Sequence, residues 1–212
     1  MQLTVAQARA VGIKLPTKPK RPKKPPPLDT YVANDCVILA IDPAKVSGYC
    51  LVLPDHRMWT GAIAESQVAI VDAAIEAAEK AKRPLIVVAE KWTTGDRIHD
   101  RRMRAATLLG LGAAWERWRA ALESSGVPRS RVVRVNVATW RAKVLGGPMN
   151  RTTEEWKEAS LRYAQLRAHS QIKRNTSVPM QDDEADAICI AFWAMHSGLV
   201  AEAVKKAGRR YP

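Results

Sequence analysis

The chain has 212 residues, enough for one domain of ordinary size with an appendage, and so for a real hydrophobic core. Hydrophobic residues make up 47% and charged residues 26%; no apolar run approaches the ~20 residues that cross a bilayer, which points away from a membrane-spanning protein and a membrane partner. Lys and Arg number 34 against 21 Asp and Glu, a net charge of +13 that solubility does not require and that marks a polyanion as the expected partner.

The N-terminal residues, MQLTVAQARAVGIKLP, have neither the apolar stretch nor the small-residue cleavage site of a secretory signal. Cys36, Cys50 and Cys189 are odd in number and scattered, which suits neither a disulfide framework nor a zinc ribbon, and a reducing cytoplasm is the expected location. Residues 16–27, PTKPKRPKKPPP, hold six prolines and five basic residues without apolar periodicity. They read as part of a proline-rich basic arm, residues 1–34, that is disordered or a semi-rigid spacer. Folding should begin near Tyr31, the folded domain should occupy 35–200, and residues 201–212 read as a basic tail.

From there the elements follow in order. VILAID (37–42) is a fully buried strand, SGYCLVLP (47–54) its hairpin partner, and RMWTGAI (57–63) a third strand after the Pro54-Asp55 turn. Residues 66–82 have helical apolar spacing and stop before Pro84. LIVVAE (85–90) is a second short apolar strand, 101–124 a long helix, RVVRVN (131–136) a fifth strand, and 137–144, 152–168 and 182–197 are further helices. Two hairpins make the first and third strands parallel, and a right-handed helical crossover makes the fourth parallel to both. As neighbours in the sheet centre, the first and fourth strands would end ~5 Å apart, at Asp42 and Glu90.

Each acid alone has a local explanation. Asp42 precedes Pro43 and could simply start a turn, Glu90 could be a solvated strand end, and Asp182 and Asp183 open a helix whose positive end favours carboxylates. Asp186 is different, because it lies a turn inside the helix, leads into the apolar run AICIAFWA, and shares a face with Asp183 and Asp182. Together these acids converge at the carboxyl edge of a sheet, where open α/β sheets place their sites. Crowded carboxylates demand a cation, and an all-oxygen ligand set selects Mg2+ or Mn2+. Inside a strongly basic chain, that is the pattern of metal-dependent phosphodiester chemistry, with two ions flanking the scissile phosphate.

IDPAKVSGYCLV (41–52), VVAEKW (87–92), VNVATWRAKVLGG (135–147) and DEADAICIA (183–191) resemble, in the right order, the successive motifs of the RuvC family of Holliday-junction resolvases, phage-type members included. The resemblance spans residues 37 to about 197. It implies a ribonuclease H-like α/β fold, a mixed five-stranded sheet in the order 3-2-1-4-5 flanked by helices. It also implies a catalytic and metal-binding set of Asp42, Glu90, Asp183 and Asp186, with Asp182 as the alternative to Asp183, holding two Mg2+ per site or Mn2+ in their place. Ala44 stands where the family commonly has Gly, and Thr93 where many members have an aromatic, with Trp92 one position earlier.

The implied partner is branched DNA, gripped by a homodimer, with no nucleotide cofactor. Lys91, Trp92, Arg97, Arg101, Arg102, Arg104, Arg141 and Lys143 are the candidate DNA contacts, Trp92 by stacking on an unpaired base or, alternatively, as a core side chain. Trp115 and Trp118 read as core or interface, and His99 and His169 as ordinary surface residues. The expected activity is that of a crossover junction endodeoxyribonuclease. A related nuclease on RNA/DNA hybrid or packaging DNA, and an inactive DNA-binding module of the same fold, are the alternatives.

Overall fold

The computed structural model describes residues 32–91, 105–146, 151–168, 172–174 and 179–208. Its centre is β1 (Val37–Asp42), six consecutive buried residues flanked on both sides by other strands. β2 (Ser47–Val52) pairs with it antiparallel and β3 (Met58–Ile63) pairs antiparallel with β2, the two hairpins that the short turns impose. Helix α1 (Gln67–Ala81) then carries the chain across to β4 (Leu85–Lys91), which runs parallel to β1 on its other side. Lys82 ends α1 in the left-handed conformation, its N–H returning to the carbonyls of Ala78 and Glu79, and Pro84 prevents continuation. α2 (Ala105–Ser124) leads to β5 (Val132–Asn136), parallel to β4, and β5 runs directly into α3 (Val137–Val144).

These five strands stand in the order 3-2-1-4-5, the mixed sheet flanked by helices that the sequence reading expects. A sixth short strand, β6 (Ile172–Arg174), extends the sheet by pairing parallel with β3, an addition that the sequence reading does not contain. α4 (Thr153–Ala168) starts with a reciprocal capping box: Glu155 Oε2 accepts from Thr152 N–H at 2.6 Å, and Thr152 Oγ1 accepts from Glu155 N–H at 3.2 Å. α5 (Asp182–Met195) and α6 (Gly198–Gly208) complete the chain.

The period-2 alternation of β1 separates two cores. Val37, Leu39 and Ile41 pack with Val71, Ala74 and Ala78 of α1 and Trp118, Ala121 and Leu122 of α2. Ile38 and Ala40 pack with Trp140, Ala164, the apolar body of α5 and Val200, Ala203 and Ala207 of α6. α5 is buried nearly all round, as a helix at the centre of one layer must be. Two boundaries move. Val32 and Ala33 already belong to the core, so the folded part begins before residue 35. Residues 201–208 belong to a packed helix rather than a tail, with Ala201, Ala203 and Ala207 buried. Trp118 is fully buried, and among the described residues no single helix is long and apolar enough to cross a membrane.

Candidate active site

The parallel register pairs Ile41 of β1 with Ala89 of β4, so Asp42 and Glu90 come next, side by side at the carboxyl ends of the two central strands. By the same alternation they share the face of Ile38 and Ala40, the face covered by α5. Both are buried, at 6% and 3% exposure, and Asp186 of α5 is buried at 7%. Asp183, one turn earlier, is half-buried beside them.

Gly48 makes this convergence possible. It is the β2 partner of Asp42, and the first turn of α5 lies directly on it: a Cβ there would come within 1.7 Å of the Asp183 carbonyl oxygen. Only a residue without a side chain lets α5 approach closely enough to face Asp183 and Asp186 toward Asp42. Glu184, on the other side of that turn, is buried and accepts a 2.7 Å hydrogen bond from Thr60 Oγ1 of β3, which pegs the helix start to the sheet.

α3 supplies the opposite wall. Trp140 is fully buried and its Nε1 donates to Glu90 Oε2 at 3.0 Å, so one carboxylate oxygen is held in place by an indole. The adjacent Arg141 donates through Nη2 to Asp186 Oδ2 at 3.1 Å. Arg134 of β5 donates to the Glu90 main-chain carbonyl at 2.7 Å and lies 3.7 Å from the centre of the Trp115 ring; burial lowers its pKa to about 10.

The electrostatics follow from crowding. Burial raises the pKa of Asp42 well above the usual carboxylate range, and the charges of Glu90, Asp186 and Asp183 add to it, opposed by Arg141. Burial also raises Asp186, against the pull of Arg141. Asp183 is pushed up to about 6, by burial first and then by Asp186 and Asp182, while Lys157 acts the other way. The three thiols are inert by comparison: all are buried, and burial raises Cys36 to about 12 and pushes Cys50 and Cys189 well above the ordinary thiol value.

The donor set suits a hard divalent cation. Every site acid is a carboxylate, and among the described residues Asp186 Oδ1 is a buried acceptor that completes no hydrogen bond, with the buried Ser160 hydroxyl beside Asp186. Among the described residues no three His, Cys, Asp or Glu side chains close on one point as a ready cage, and two of the acids are engaged by α3 instead, Glu90 by Trp140 and Asp186 by Arg141.

The structure therefore gathers Asp42, Glu90, Asp183 and Asp186, while Asp182 turns outward to Lys157 at 2.7 Å. Arg141 reaches the cluster; Lys143 lies exposed on the same helix and Lys91 exposed at the end of β4. Trp92, Arg97, His99, Arg101, Arg102, Arg104 and His169 lie outside the described residues. Gly48, Trp140, Arg134 and Glu184 are site-building residues that sequence patterns do not single out. For Trp140, its place immediately before the basic Arg141 was the available signal.

The chain matches no protein-family profile and no curated protein. Among solved structures it is similar to RuvC of T. thermophilus in complex with a Holliday junction substrate. That match has 18% identity and a TM-score of 0.43, and covers 75% of this chain and 94% of that one. It is also similar to the yeast mitochondrial Holliday junction resolvase Ydc2, at 11% identity and a TM-score of 0.40, over 87% of this chain and 88% of that one.

Proposed function

We propose that this protein is a metal-dependent endonuclease that resolves four-way and related branched DNA junctions as a homodimer. The observation that carries the reading is the meeting of four carboxylates from β1, β4 and α5 on one buried sheet edge of a chain with net charge +13. Acids gathered so that Glu90, Asp186 and Asp183 raise the pKa of Asp42 are costly as structural elements, and their gathering fits a site built for cations. In this reading Asp42, Glu90, Asp183 and Asp186 hold two Mg2+ ions, or Mn2+, which when bound supply a water ionised near neutral pH and charge stabilisation for the leaving oxygen.

The chain's own residues do the rest. Trp140 fixes the rotamer of Glu90, Gly48 and the Thr60–Glu184 bond fix the approach of α5, and Arg141, Lys143 and Lys91 set a positive rim that attracts the phosphate backbone. The two-fold partner is assigned to the start of α2. Leu109 there is 73% exposed, within an LGLGA stretch that is otherwise exposed or half-buried. The buried, protonated thiols suit the cytoplasm, which completes the proposal.

The test is cleavage of a synthetic four-way junction, a linear duplex and an RNA/DNA hybrid under one Mg2+ concentration. Paired, symmetric nicks in the junction are expected. Preferential cutting of the hybrid would support the alternative substrate, and junction binding without any cleavage would support an inactive module.

A further inference from the structure

We propose that Arg141 is the resident counter-ion of the carboxylate cluster, holding Asp186 until a divalent cation displaces it, so that cation entry and release of this guanidinium form one exchange. The inference rests on the reading of the site as metal-dependent and assigns a competitor within it. Arg141 and Asp186 are largely buried, with side chains 18% and 11% exposed, yet they share a single hydrogen bond. Arginine and carboxylate ordinarily meet fork to fork through two parallel bonds. Here, among the described residues, Arg141 Nε and Asp186 Oδ1 are both buried and complete no hydrogen bond, the Ser160 hydroxyl beside Asp186 included. A pair that leaves one donor and one acceptor unused is poorly suited to a permanent strut and well suited to a contact that is given up.

The guanidinium also has somewhere to remain. It lies 5.1 Å from the Trp140 ring centre and 5.5 Å from that of Trp156, so two indole faces support its charge on the α3–α4 side independently of Asp186. Asp42 feels the same positive charge, which opposes the repulsion from the other acids. One arginine thus partly neutralises the cluster from the position of a competing cation.

The experiment is calorimetric titration of the full chain with Mn2+ alone, without DNA. Wild type should bind, Arg141→Gln should bind about tenfold tighter because one competing charge is gone, and Arg141→Lys should stay within about twofold of wild type. Unchanged or weaker binding by Arg141→Gln, with wild type binding normally, overturns the exchange and leaves the metal-dependent reading intact. Absence of Mn2+ binding by wild type overturns both. A measurement on the unaltered chain covers a variant that fails to fold: the Arg141 Nε–H resonance, assigned by through-bond correlation to its own backbone amide, should shift on saturation with Mg2+. A resonance that does not move contradicts the proposal.

Discussion

Asp183 shows how the site sets stability against function. Its pKa in the folded protein, about 6, lies above its ordinary value near 3.8, so the fold favours its protonated form. That contribution is full below pH ~4 and is lost as pH rises through about 6; Asp42 and Asp186 shift in the same direction. In chelator, Asp183→Asn should therefore exceed wild type in Tm by a margin that widens between pH 4 and 7, read by differential scanning calorimetry. A margin that narrows with pH would reverse the assigned sign. Trp140 is the second residue whose role is separable. Trp140→Phe keeps a ring in the core but removes the donor to Glu90, and metal affinity or kcat should fall ~10- to 100-fold, as for other groups that orient a ligand. Near-native activity in that variant would show that Glu90 needs no such restraint.

At the scale of elements, the helix α5 stands or falls with Gly48. Gly48→Ala places a methyl into the Asp183 carbonyl, so α5 must shift, with an expected destabilisation of at least ~1–3 kcal/mol by denaturant titration and weakened Mn2+ binding. Stability equal to wild type would mean that the helix start is free to move. The central strands were legible from the sequence because VILAID and LIVVAE are uninterrupted apolar runs, and a parallel pair of such strands necessarily ends on adjacent residues, Asp42 and Glu90. β6 was not, since a three-residue edge strand of sequence IKR has no apolar signature. Residues 201–208 of α6 have the composition of a basic tail, because Lys205 and Lys206 stand beside small apolar residues, Ala201, Ala203 and Ala207, whose burial depends on the layer beneath them. Gly48 and Glu184 are silent in the sequence for a different reason: their roles arise only where separate elements approach, and no local pattern encodes that, whereas Trp140 carries only the weak signal of preceding Arg141.

For the molecule as a whole, Leu109 of α2, exposed and apolar, lies on an element separate from the acidic edge, and in the proposed homodimer that face joins two copies so that two sites meet one symmetric substrate. Sedimentation equilibrium at micromolar concentration should report a dimer, and Leu109→Glu should shift it toward monomer with little change in Tm; a wild-type monomer both free and on junction DNA would argue for a general nuclease. The most direct test of the central claim is single-turnover nicking of a four-way junction in Mg2+ by wild type and Asp42→Asn, with binding measured in parallel. Paired nicks by wild type, none by Asp42→Asn, and equal junction affinity of the two are the result predicted by a carboxylate-held metal site. Undiminished nicking by Asp42→Asn, or by wild type in excess chelator, would contradict it.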